Sequence, residues 1–147
     1  MSSTPTEVLD LATRLLDDSN GIIPDEVTLR CSTSRAYYAA LHAVDDALPE
    51  SLSPSTSERK GKSSHQAIID AAVRWAKRPG DGRIEAISLA RNLPKLRNAR
   101  KNADYKMVVD YTLQEAKEAL RVAQLTVAGA IRAAERAALK VIQESAG

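Results

Sequence analysis

Apolar residues along this chain recur at the spacing of helices and nowhere alternate for long enough to make a sheet. Val8, Leu9, Ala12, Leu15 and Leu16 mark a first helix. Thr4-Pro5-Thr6-Glu7 opens it with a capping threonine, a proline at the first helical position and a glutamate three residues after the cap. It is expected to run to about Asp18, ahead of Asn20-Gly21. Pro24-Asp25-Glu26 opens a second helix that continues to Leu48, before Pro49. The Ser-, Pro- and charge-rich stretch 49–62 reads as an exposed, mobile loop. Ser63 and Gln66 repeat the capping pattern ahead of Ile68, Ile69, Ala72, Val73 and Trp75, a third helix ending near Lys77. Beyond the turn at Pro79-Gly80-Asp81-Gly82, a fourth helix carries Ile84, Ile87, Leu89, Leu93 and Leu96, and Pro94 predicts a kink or a break in it. Thr112-Leu113-Gln114-Glu115 then opens a last helix that reaches past Val141.

These elements predict an all-α fold, an antiparallel up-and-down bundle of four to five helices with a long C-terminal helix. A single domain spans 1–147, its core over about 5–127 and a helical extension over about 128–144. The apolar line Leu113, Ala116, Leu120, Ala123, Val127, Ala130, Ala134, Ala137 and Val141 outruns helices half its length. It therefore predicts a partner on that face, a second copy first and a companion protein next.

Composition narrows the class. With 44% hydrophobic and 27% charged residues in 147, the chain has the makings of a packed globule rather than a disordered segment. A net charge of +2 means that any nucleic-acid surface must come from local clustering. The lone Cys31 excludes an internal disulfide and reads as a small packing residue. No apolar run approaches a membrane span and no signal layout is evident, so the expected location is cytoplasmic. Two histidines and one cysteine are too few for a dedicated metal site, and no cofactor is called for.

Two segments carry candidate chemistry. In Arg35-Ala-Tyr-Tyr-Ala-Ala-Leu-His42, helical spacing puts Arg35, Tyr38 and His42 on one polar face, with Tyr37 and Leu41 on an adjacent packing face. The tyrosines either stack on unpaired bases or fill the core with their hydroxyls bonded to Asp104 or Arg100. In the second segment Lys95, Arg97, Arg100 and Lys101 precede Asp104 and Tyr105, and Arg97, Arg100 and Asp104 share a face. Paired guanidiniums suit phosphate oxygens, while the same run also fits a solvated helix end. His65, in the first turn of the third helix, is expected to be kept neutral by the helix dipole. If the second and fourth helices lie side by side, Arg35, Tyr38, His42, Arg97, Arg100 and Asp104 form one buried polar network.

The blocks Ser34-Arg35-Ala36-Tyr37-Tyr38-Ala39-Ala40-Leu41-His42, Ser64-His65 and Arg97-x-x-Arg100-x-x-Ala103-Asp104-Tyr105, in this order, resemble the HEPN domain family, most of all its small stand-alone branch. The resemblance covers about residues 7–127. It implies a dimeric helical bundle working on RNA or nucleotides in a prokaryotic toxin–antitoxin or defence-type module, often beside a nucleotidyltransferase-like partner. Active members of the family are metal-independent ribonucleases with an Arg-x(4–6)-His motif: the arginine holds the scissile phosphate and the histidine moves protons as the RNA 2′-hydroxyl attacks. The chain departs from that pattern, because the positions after Arg100 hold Asn102, Ala103, Asp104, Tyr105, Lys106 and Met107. Arg35 and His42 keep the gap but belong to a different block, and the Tyr105 phenol is a weak base at neutral pH. Candidate catalytic residues are therefore Arg97, Arg100, Asp104, Tyr105 and His42, and candidate RNA- or nucleotide-binding residues are Arg35, Tyr37, Tyr38, His65 and Lys101. An RNA- or nucleotide-binding protein, a ribonuclease and a non-catalytic scaffold or dimerisation module all remain open at this point.

Overall fold

The computed structural model describes residues 3–61 and 64–146, with side chains as far as residue 139. Six helices are found among the described residues, and no strand: α1 (Pro5–Leu15), α2 (Glu26–Ala47), α3 (Thr56–Lys60), α4 (Ser64–Lys77), α5 (Arg83–Tyr105) and α6 (Leu113–Ala146). The fold is an all-α bundle with a long C-terminal helix. α2 and α6 form its central pair, α1 seals α2, α4 packs on α5, and α5 closes against both α2 and α6. Cross-contacts fix the directions. Arg30 reaches Asn102 while Tyr38 meets Arg100, so α5 runs antiparallel to α2. Glu85 meets Arg136 while Leu89 lies by Gly129, so α6 runs antiparallel to α5.

The starts follow local chemistry. Thr4 Oγ1 accepts from the Glu7 amide at 3.2 Å, the Asp25 carboxylate accepts from the Thr28 amide at 2.8 Å, and Thr112 and Glu115 cap each other reciprocally. The expected cap at Ser63 lies outside the described residues. α1 stops at Leu15, short of Asp18, because Asp17 and Asn20 turn their side chains onto the amides of Ser19 and Ile22 and compete with the helix. The stretch after Pro49 is not a plain loop. It holds a 3₁₀ turn at Glu50–Leu52 and the short α3, where Ser55 and Glu58 form a capping box. Arg59 ties this stretch to α2 through Asp45 at 2.6 Å and also bonds the Ser53 hydroxyl and the Pro54 carbonyl.

α5 runs through Pro94 without splitting. Pro94 sits on the exposed side of the helix, while Leu89, Leu93 and Leu96 stay buried and hold the turn. Ile84 and Ile87 are exposed instead of packed, at 77% and 45%; the buried line at this end of α5 runs through Glu85, Ala86 and Leu89. Gly82 enters α5 at a φ of 82°, and an added Cβ would meet the Trp75 ring at 2.7 Å, so this turn has room for glycine alone. Cys31 is exposed rather than packed, because α2 turns Leu29, Arg30, Ser32 and Thr33 inward on either side of it.

Of the apolar line of α6, Ala116, Leu120, Ala123, Val127 and Ala130 are buried inside the bundle, where α2 and α5 pack against it. Small residues there allow the central helices to approach closely. Val141 lies outside the described side chains.

One arginine organises the end of the bundle where α5 stops. Arg30 on α2 is buried, and its guanidinium donates to the carbonyls of Asn102 (3.0 Å), Ala103 (2.8 Å), Lys106 (3.3 Å) and Val109 (2.6 Å) and to Glu26 Oε1 (2.9 Å). It gathers carbonyls of the last turn of α5 and of the chain just beyond it, where a helix C-terminus runs short of main-chain donors. Glu26 in turn accepts from the Tyr111 amide at 2.7 Å, and the Tyr111 hydroxyl meets Thr33 at 2.6 Å. The chain between α5 and α6 is thereby fastened to α2, which sets where Asp104 and Tyr105 sit.

Candidate functional site

Three helices converge on one polar cluster. α2 contributes Tyr37 and Tyr38, α4 contributes His65 and Gln66, and α5 contributes Arg97, Arg100 and Asp104. Tyr37 is fully buried with Leu41, as their shared face predicts, whereas Tyr38 is half-buried and turned toward α5. Arg100 Nη2 donates to Tyr38 Oη at 3.1 Å. Arg100 Nε lies 2.8 Å from Asp104 Oδ2, close enough for an ion pair but off the line of a hydrogen bond, and Ser34 Oγ donates to the same oxygen at 3.4 Å. The guanidinium carbon of Arg100 stands 5.9, 5.5 and 5.3 Å from the ring centres of Tyr37, Tyr38 and Tyr105, within cation–π range. Arg97 donates to Gln66 Oε1.

His65 is the second residue of α4, and its Nδ1 lies 3.1 Å from Tyr37 Oη. Its ring packs at 5.6 Å from that of Tyr37 and edge-on at 5.7 Å to Tyr38. Burial lowers its pKa below the ordinary histidine value, and the nearby charges of Arg100, Arg97 and His42 lower it further. The imidazole is therefore neutral at pH 7, as expected, though burial and the arginines are the cause. Burial likewise pushes the Tyr37 phenol up, against the pull of Arg97 and Arg100, so this hydroxyl stays protonated. When Tyr37 accepts from Nδ1–H, the lone pair of Nε2 is left free to act as a base.

The linkage sign follows. In the unfolded chain His65 takes up a proton near its ordinary pKa of about 6.5, whereas the folded value is depressed. Stability is thus unaffected by this group above the unfolded pKa. It falls as pH drops through that value and levels off below the folded one. Urea unfolding of wild type and His65→Gln at pH 7.5 and at pH 5 checks this: the wild type should lose more stability on acidification than the variant, and parallel losses would rule the linkage out.

The remaining candidates divide. His42 is exposed but joins the cluster by stacking on Tyr38 at 6.4 Å. Tyr105 is largely exposed and touches it through Arg100. Lys101 is exposed, and among the described residues no hydrogen bond or ion pair ties it to the cluster. Arg35 is exposed as well, beside a neighbouring hollow, so the expected buried network of six residues loses Arg35 and is instead a half-buried cluster centred on Arg100 that also takes in Tyr37 and His65. Gln66, expected only as a capping residue, and Ser34, expected only as part of the first block, also belong to it. The proximity of His65 to Arg100 comes from a third helix, which spacing within one helix cannot signal.

Among the described residues no group of three or more His, Cys, Asp or Glu could hold a metal ion, and no helix is long and apolar enough to cross a membrane. Comparison of the chain with protein-family models, with curated proteins and with solved structures finds no match.

Proposed function

We propose that this chain is a HEPN-like RNA- or nucleotide-binding protein of a prokaryotic toxin–antitoxin or defence-type module, homodimeric and working with a nucleotidyltransferase-like partner. The observation that carries this reading is convergence. Three blocks far apart in sequence, around Tyr37-Tyr38, Ser64-His65 and Arg97 to Asp104, meet in one half-buried cluster of two guanidiniums, two phenols and a neutral imidazole. Guanidiniums of this kind take a phosphate in a fork, and the outward Tyr38–His42 stack offers a ring surface to an unpaired base. Exposed Leu125, Ile131 and Leu139 on α6 leave apolar surface for a partner.

A second activity is favoured by the setting of His65. Metal-independent cleavage needs a phosphate-holding cation and a proton-transfer group side by side, and His65 lies within electrostatic reach of both Arg97 and Arg100. In such a reaction the 2′-oxygen bonds to phosphorus as its proton passes to the imidazole, the bond to the 5′-oxygen breaks, and that oxygen takes a proton from water, leaving a cyclic phosphate and a 5′-hydroxyl; the imidazolium then returns its proton to solvent.

Fluorescence anisotropy with a labelled 12-nucleotide single-stranded RNA, at low salt and in chelator, tests both. Saturable binding in the micromolar range, weakened in Arg97→Ala, is the expected result. Absence of saturable binding would overturn the proposal. The same mixtures on a denaturing gel decide cleavage: cyclic-phosphate products made by wild type and lost in His65→Ala would add the enzyme activity, and intact RNA would leave a binding protein.

A further inference from the structure

Beside the cluster, where α2 begins and α5 ends, lies a hollow of about 330 Å³. Its floor and rim are set by Val27, Cys31, Ser34 and Arg35 from α2, by Asp104 from α5 and by Met107 just beyond. The volume is at the small end of the roughly 300–1,000 Å³ of ligand sites, enough for one nucleoside and too little for a folded helix. We propose that this hollow is a base-reading subsite selective for guanine in single-stranded RNA, filled by the nucleotide next to the phosphate held by Arg97 and Arg100. The inference rests on the RNA-binding reading above.

Four observations lead there. First, the hollow adjoins the phosphate-holding cluster, because Asp104 is shared: its Oδ2 faces Arg100 at 2.8 Å and Ser34 at 3.4 Å while the same residue lines the hollow. A phosphate at Arg100 therefore places the neighbouring base within reach. Second, Val27 and Met107, exposed at 67% and 63%, offer apolar surface at the hollow, the kind that an inserted aromatic ring would cover. Third, Arg35 has no hydrogen-bond or ion-pair partner among the described residues, although an Asp carboxylate shares its hollow. It is an available donor fork. Fourth, the polar groups match two edges of one base. A carboxylate is an acceptor with two oxygens, and guanine alone among the four bases presents two adjacent donors, N1–H and the N2 amino group. A guanidinium donates to guanine O6 and N7, the commonest specific pairing of arginine with a base. Adenine and cytosine offer the carboxylate a single amino group, and uracil a single ring N–H. Arg30 also borders the hollow, but both of its terminal nitrogens are engaged by main-chain carbonyls and Glu26.

The test compares affinities of one protein for an eight-nucleotide oligo(A) and for the same oligomer with a single guanosine, by anisotropy at fixed salt. Reading the ratio within each protein cancels any general weakening caused by a substitution. Wild type should prefer the guanosine oligomer by about tenfold, and the preference should vanish in both Arg35→Met and Asp104→Asn. Inosine in place of guanosine, which lacks the N2 amino group, should lose most of it without any change to the protein. If RNA binds and Arg97→Ala weakens it, yet the ratio is near one, the guanine subsite is wrong and the RNA-binding reading stands. A preference that survives both substitutions places base reading elsewhere and also overturns the proposal. Absence of binding by either oligomer overturns both readings together.

Discussion

Replacing Arg30 by alanine is expected to destabilise the fold by about 3–5 kcal/mol, the range for removing one partner from a buried charged network. The reason lies in what the guanidinium serves. It donates to four main-chain carbonyls and to Glu26, and its carbon lies 5.4 Å from the Tyr111 ring centre. Alanine fills none of that space and leaves the Ala103 carbonyl, in a buried residue, without its donor. Lysine should recover less than half of the loss, because a compact ammonium cannot span acceptors arranged around a planar fork. Urea unfolding gives the magnitude, and hydrogen exchange gives the place: amides of residues 106–111 should open first in Arg30→Lys. A loss below about 1 kcal/mol for Arg30→Ala would show that water replaces the guanidinium freely and that it is no linchpin.

Arg30 also marks the boundary of what sequence can carry. Helix starts at Thr4, Asp25 and Thr112 were legible because the cap and its target lie three residues apart. The buried role of Tyr37 and Leu41 was legible because one face of α2 is apolar. Arg30 was not, since apart from Glu26 its acceptors are main-chain carbonyls 72 to 79 positions away, which no side-chain pattern records. The placing of Ile84 and Ile87 failed for a related reason. Periodicity offers two faces at the start of α5, and only contact with α6, where Arg136 meets Glu85, decides which of them turns inward. The α6 line is a packing surface, as its spacing predicts, and as far as Ala130 the chain's own α2 and α5 pack against it. α3 was not legible although Ser55 and Glu58 carry the capping pattern, because its five residues are too few to show an apolar face. In the cluster, the Arg97/Arg100/Asp104 face was legible from spacing, whereas the meeting of His65 with Tyr37 and Tyr38, the rings that Arg100 faces, depends on how α4 crosses α2 and α5.

That meeting sets up the second large effect. If the cluster holds RNA phosphate, Arg97→Ala/Arg100→Ala should weaken single-stranded RNA binding at least about a hundredfold, because bonds to charged groups contribute roughly 1.5–3 kcal/mol each. Loss of affinity alone is weak proof, since Arg100 also holds Tyr38 and Asp104 in place. Salt dependence separates the roles. Each phosphate contact with a single strand contributes about 0.7 to the slope of log affinity against log salt, so losing two should reduce the slope by about 1.4. Arg97→Lys/Arg100→Lys keeps both charges and removes both forks: the slope should persist while affinity falls by about tenfold. Exposed Arg14 and Arg74, on α1 and α4, supply the comparison. If Arg14→Ala/Arg74→Ala reduces the slope as much as the Arg97/Arg100 pair does, binding is diffuse electrostatics and the cluster is a structural network. A slope that responds only to Arg97 and Arg100, with lysine preserving it, requires phosphate to sit against these two side chains, within reach of the His65 imidazole.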